Sequence, residues 1–122
     1  MILKKCKKCG AMVEIIEDCH CRNCGIQCCG EKMEKIASNN AEFSFEKHLP
    51  QVEICGNYIE VTVNHVMEDA HYIEWVALET KGTLGKKYFK AGDAVKAIFP
   101  YVKNSTIYSY CNKHGLFEVK VK

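Results

Sequence analysis

A chain of 122 residues with a formal net charge of +2 has room for one domain, or for one domain and a small satellite. Hydrophobic residues make up 48% and charged residues 26%, an ordinary globular balance, so nothing global points to nucleic acid or to an anionic membrane. No apolar run approaches the roughly 18 residues that span a bilayer, and the basic start MILKKCKKCG lacks a signal peptide's apolar core, so the cytoplasm is expected.

Residues 1–30 are dominated by cysteine. Nine cysteines occur in the chain, and seven of them fall between Cys6 and Cys29, in CKKCG and CHCRNCGIQCCG. In a reducing compartment such a cluster reads as metal ligands or redox groups rather than structural disulfides. VEIIE (13–17) is the one plausible strand between the two cysteine groups. So little apolar mass cannot fold by burial alone, and a bound metal is expected to supply much of the stability. Residues 31–40, EKMEKIASNN, end in small polar residues and read as a linker or loop.

From about residue 41 the pattern changes to short alternating segments. YIEVTVNHV (58–66), HYIEWVAL (71–78), AVKAIF (94–99), STIYSYC (105–111) and LFEVKV (116–121) are strand candidates, punctuated at Gly56-Asn57, Gly82, Gly85, Gly92 and Asn112. No run carries a helical period, and short strands separated by turn signals predict an antiparallel sandwich or barrel. Alternation puts His65 on the apolar side of its strand and aligns Cys111 with Ile107 and Ser109. Taken singly, such residues are buried side chains satisfied by the backbone; a free cysteine is commonly a small hydrophobe, the reading given to Cys55. Taken together, EKHLP (46–50), NHVMEDAH (64–71) and CNKHG (111–115) supply four imidazoles and one thiol from loops and strand ends. Five such donors exceed the tetrahedral four of structural zinc and suit a higher-coordinate iron site with a vacant position.

EKHLP, HVMEDAHYIEWV and YCNKHGLF, with CCGEKM near the N-terminus, make the whole chain resemble desulfoferrodoxin, the two-centre form of superoxide reductase. The resemblance implies a small desulforedoxin-like domain over residues 1–36 and an immunoglobulin-like seven-stranded β-sandwich over 41–122. It implies two irons per chain. His48, His65, His71 and His114 would be equatorial ligands of the catalytic iron and Cys111 its axial thiolate. Cys6, Cys9, Cys28 and Cys29 would hold the second iron. Glu46 would be able to occupy the sixth position of the oxidised site, and Lys47 would bring positive charge and help deliver a proton through water. The implied reaction is one-electron reduction of superoxide to hydrogen peroxide without release of dioxygen, with a rubredoxin-like donor and a homodimeric assembly.

The insertion CHCRNC departs from the family pattern by adding Cys19, His20, Cys21 and Cys24. Cys6, Cys9, Cys21 and Cys24 form an alternative C-x-x-C pair of the zinc-ribbon kind. Two competing functions therefore stand beside the enzyme: a non-catalytic electron carrier, in which the four-cysteine centre acts and the sandwich is scaffold, and a zinc-ribbon interaction module. The complete set of five donors with Glu46 and Lys47 favours the enzyme.

Overall fold

The computed structural model of the chain describes residues 1–22, 25–39 and 48–122, which divide into two compact units, Met1–Ala37 and Ser38–Lys122. None of the described residues lies in a helix long and apolar enough to cross a membrane.

The first unit contains β1 (Ile2–Lys5), β2 (Met12–Ile15), β3 (Gln27–Cys28), β4 (Glu31–Lys32) and β5 (Glu34–Lys35). Strand β1 is central, antiparallel to β2 through Ile2↔Ile15 and Lys5↔Met12 and to β5 through Lys4↔Lys35. Strands β3 and β4 form a tight hairpin whose two turn residues, Cys29 (φ 54°) and Gly30 (φ 77°), both have left-handed backbone. Two successive positive φ values are what a two-residue primed turn demands. Among the described residues of this unit Leu3, Cys6 and Met33 are the buried hydrophobic ones, a core too small to stand on burial alone. Two expectations are corrected here. The strand expected at 13–17 lies at Met12–Ile15 and has a partner, Ile2–Lys5, and within the expected linker, 31–40, Glu31–Lys32 and Glu34–Lys35 are paired strands. Two-residue strands carry no period, so their pairing is set by the Cys29-Gly30 turn and by β1, neither visible in local composition.

The second unit is a two-sheet antiparallel sandwich with seven strands among the described residues. They are β6 (Gln51–Cys55), β7 (Tyr58–Thr62), β8 (Ile73–Glu79), β9 (Leu84–Tyr88), β10 (Lys96–Pro100), β11 (Thr106–Cys111) and β12 (Gly115–Lys120). One sheet has the order β10-β7-β6 and the other β12-β11-β8-β9. Ile59 and Val61 of β7 with Ala97 and Phe99 of β10 meet Val76 and Leu78 of β8 and Ile107 of β11 in one buried cluster. Alternate residues of each strand thus fill the space between the sheets.

Strands β6 and β9 were not expected. Gly85, read as punctuation, lies within β9, where a Cβ would stand 3.7 Å from the Phe99 ring, so the strand passes close to a core aromatic. The strand beginning at Tyr58 ends at Thr62 rather than at residue 66. Cys55 is half-buried rather than buried, because it pairs with Tyr58 at the hairpin end and shares that residue's outward side.

Candidate metal centres

Topology delivers five donor side chains to one end of the sandwich. His48 precedes β6 and His65 follows β7, and the start of β6 pairs with the end of β7 through Gln51↔Thr62. In the other sheet His71 precedes β8, Cys111 closes β11, and His114 lies in the turn before β12, with Cys111 paired to Ile73 and to Gly115. The donor atoms of His48, His65, His71, Cys111 and His114 all lie within 4.8 Å of one another.

Their arrangement is specific. The ring centroids of His48 and His65 are 4.7 Å apart, those of His65 and His71 4.6 Å, of His71 and His114 4.8 Å, and of His114 and His48 4.7 Å. The four imidazoles therefore close a circuit in which His48 is opposite His71 and His65 is opposite His114. Three of the four neighbouring pairs are within a few degrees of perpendicular, at 87°, 88° and 89°, so the rings stand like blades about a common centre. His48 Nε2 and His114 Nδ1 are 2.8 Å apart. Metal–nitrogen bonds of about 2.1 Å at right angles give an edge of about 3.0 Å, so these two nitrogens fit adjacent corners of one coordination sphere. The Cys111 sulfur, fully buried, is 3.6 Å from His65 Nε2 and 3.9 Å from His114 Nδ1.

Electrostatics and hydrogen bonding prepare three of the rings as neutral donors. Burial holds His65, His71 and His114 below the usual histidine range, and the Lys113 charge adds to this at His71. The Val66 carbonyl lies 2.6 Å from His65 Nδ1 and accepts its proton, which leaves Nε2 with a lone pair facing the centre. His71 Nε2 is buried and, among the described residues, has no hydrogen-bond partner. An orphaned buried nitrogen amid three other imidazoles is costly unless a cation takes its lone pair. The site thus fits a metal on its donor chemistry. Ser109 and Phe117, not singled out in the sequence, complete the support of His48. The buried Ser109 hydroxyl donates to the His48 carbonyl at 2.8 Å, and Phe117 stacks on the ring at 4.6 Å and 12°. A serine facing the apolar side of an alternating strand was the available signal for Ser109.

In the first unit Cys6, Cys9, Cys28 and Cys29 bring their sulfurs within 4.8 Å of one another. Cys6 and Cys9 lie on a tight loop closed by Gly10 N–H donating to Cys6 O at 3.0 Å, with Gly10 at φ 79°. The Cys9–Cys28 and Cys28–Cys29 sulfurs are 3.6 and 3.9 Å apart, against about 3.8 Å for the edge of a tetrahedron with metal–sulfur bonds of about 2.3 Å. The Cys9 amide donates toward Cys6 sulfur and pulls that thiol down to about 7, while the contact with Cys9 leads those that push Cys28 up to about 12. One thiolate forms readily and the next is resisted, so four together call for a cation between them. Cys9 and Cys29 are exposed, whereas Cys6 is buried.

Of the inserted residues, Cys19 and Cys21 are exposed and stand outside this four-sulfur group, and His20 is paired with Glu17 at 3.0 Å. Cys24, Glu46 and Lys47 lie outside the described residues.

Fold and site together define a two-sheet β-sandwich bearing a histidine–cysteine donor set, carried in one chain with a small four-cysteine unit. A model of the family described as Desulfoferrodoxin matches residues 40–120. The desulfoferrodoxin of Nitratidesulfovibrio vulgaris is 37% identical over 115 residues, covering 91% of this chain and 89% of its own. The chain belongs to the desulfoferrodoxin family. Among solved structures, the superoxide reductase from Treponema pallidum shares the fold over 98% of this chain and 97% of its own, with a TM-score of 0.73 at 23% identity. The superoxide reductase from Giardia intestinalis covers 63% of this chain and 98% of its own, with a TM-score of 0.55 at 26% identity.

Proposed function

We propose that this chain is a superoxide reductase, which joins superoxide, one electron and two protons to give hydrogen peroxide and takes the electron back from an external donor. The observation that carries the reading is the convergence of four imidazoles and one thiol at one end of the sandwich. Family membership and the activity named for the Giardia protein support it. Iron suits this mixed donor set, and when bound it would supply the single electron, with a thiolate raising its electron density.

In this reading His48, His65, His71, His114 and Cys111 would hold the metal, which would supply its electron to a small anion reaching the site. Low proton affinity at His65, His71 and His114 keeps those three rings available as ligands at neutral pH. Lys47 would steer the anion inward by its charge and help deliver a proton through water, and Glu46 would be able to ligate the oxidised iron; both roles are what the family resemblance implies. Residues 41–122 are the reductase domain. Residues 1–36 are a second iron domain held by Cys6, Cys9, Cys28 and Cys29, giving two irons per chain. A rubredoxin-like donor, a homodimer and a cytoplasmic location complete the proposal.

The deciding experiment compares Cys111→Ser with Cys55→Ser in iron-loaded protein. The first should lose the sulfur-to-iron charge-transfer band and most superoxide turnover, measured by pulse radiolysis. The second should retain both, since Cys55 sulfur is directed to the Glu53 carbonyl at 3.9 Å. Retention of band and turnover in Cys111→Ser would refute the assignment.

A further inference from the structure

Asn112 lies in the turn between Cys111 and His114, where asparagine is ordinarily explained by turn formation. Its side chain does not serve that turn. Oδ1 accepts a hydrogen bond from the Tyr72 amide at 3.0 Å, and Nδ2 donates to the Ala70 carbonyl at 3.1 Å. Its own backbone amide donates to the Tyr72 carbonyl at 3.2 Å. All three bonds reach a segment about forty residues earlier in the chain, and they fall on the two residues flanking His71.

The backbone of His71 is held from the other side. Its amide donates to Glu68 O at 3.1 Å and its carbonyl accepts from Glu68 N at 3.0 Å. Ala70, His71 and Tyr72 are therefore fixed between Glu68 and Asn112. A β-bulge interrupts the pairing of β8 with β11 between Tyr110 and Cys111. Beyond it the Asn112 side-chain carbonyl takes the place of a main-chain carbonyl in the bond from Tyr72 N–H, carrying the ladder one residue further. The chemistry is directional: the acceptor must face an N–H and the donor a C=O, which an amide satisfies and an aliphatic or carboxylate side chain does not.

We infer that Asn112 is a positioning residue of the histidine–cysteine centre, an amide clasp that ties the His71 backbone to the turn carrying Cys111 and His114. This rests on the metal-site reading above. It assigns to Asn112 the registration of the two ligand-bearing segments beyond Cys111↔Ile73, the last pair of the β8–β11 ladder. The clasp matters most for His71, whose Nε2 is buried with no protein hydrogen bond among the described residues to orient the ring. The position of its main chain is then what aims the imidazole, 4.6 Å from His65 and 4.8 Å from His114.

The test uses the full-length metal-free chain and Co²⁺, read by the ligand-field spectrum and by competition with a chelator. The cobalt–thiolate bands of the four-cysteine set serve as an internal control. Asn112→Ala should weaken cobalt binding at the histidine–cysteine centre by about 10–100-fold and shift its bands, leaving the control bands unchanged. Asn112→Asp keeps an acceptor for Tyr72 N–H but turns a carboxylate toward the Ala70 carbonyl, so its loss should also be confined to this centre. In a double-mutant cycle, His71→Ala with Asn112→Ala should bind cobalt within about two-fold of His71→Ala alone, because no ring remains to be positioned. Should Asn112→Ala not fold, Asn112→Asp carries the same cycle. Unchanged affinity in the single variant, or losses that multiply in the double, overturn the inference. Absence of any cobalt spectrum at this centre in the unmutated chain would instead remove the metal-site reading beneath it.

Discussion

At the scale of single residues, the centre depends on groups that never touch a metal. Ser109 is fully buried and uses its hydroxyl on the His48 carbonyl, so the main chain at the first histidine is tied to β11, the strand that ends in Cys111. Removing the hydroxyl leaves a buried acceptor without its partner, which costs about 1–3 kcal/mol. Ser109→Ala should therefore lower the melting temperature of the sandwich by several degrees, on a scale of about 4–8 °C per kcal/mol for a unit of this size. It should also loosen His48 against Phe117, its stacking partner. Differential scanning calorimetry with and without metal measures the first effect, and an unchanged melting temperature would show that water replaces the serine without cost. Tyr108 illustrates the opposite balance. Burial, then the charges of Glu79 and Glu118, hold its phenol well above the usual range, and the hydroxyl donates to Glu79 at 3.2 Å. It packs as a neutral group on the face of β11 opposite Ile107 and Ser109.

At the scale of elements, the β11–β12 hairpin is the part on which the centre turns, because it carries Cys111 and His114 and, by the clasp described above, governs His71. Its geometry depends on Gly115, which opens β12 at φ 91° opposite Cys111. A Cβ built there meets no heavy atom within 4 Å, so replacing this glycine tests the backbone alone. Gly115→Ala should destabilise the sandwich by about 1–2 kcal/mol through the left-handed strain and move His114 off its corner. Gly56→Ala is the matched control. Gly56 has φ 66° and open space around it, but turns the β6–β7 hairpin at the end of the strands away from His48 and His65. Both variants should lose comparable stability in urea, yet only Gly115→Ala should perturb the visible spectrum of the loaded centre. Equal spectra would mean that the turn adapts without moving its ligands.

At the scale of the whole molecule, two donor sets occur in two units and share no residue. The units differ in what holds them together. The sandwich buries side chains from both sheets, among them Ile59, Val61, Ile73, Val76, Ile107 and Phe117, whereas the first unit buries only Leu3, Cys6 and Met33 among its described hydrophobic residues. Metal binding should therefore account for much of the folding free energy of the first unit and for little of the second. Cys29→Ser should abolish the four-cysteine spectrum and expose the first unit to rapid amide hydrogen exchange, while the histidine–cysteine spectrum and sandwich protection persist. Loss of both centres in that variant would show that they are coupled.

Much of this was legible in the chain, and the remainder was withheld for a definite reason. Ligand chemistry resides in side-chain identity, so EKHLP, NHVMEDAH and YCNKHGLF already named the five groups that the fold draws together, and period-two alternation already named an antiparallel sandwich or barrel. Strands of two residues, an edge strand such as β6, and β9 with Gly85 inside it carry too little periodic signal to be read locally. The seating of His114 against His48 and His71, the hydroxyl of Ser109 on His48 and the reach of Asn112 to Ala70 and Tyr72 depend on pairings between residues forty or more positions apart. Sequence determined which donors exist; the register of seven strands and one bulge decided which of their atoms face one another, because distance between remote residues is a property of packing and not of spacing along the chain.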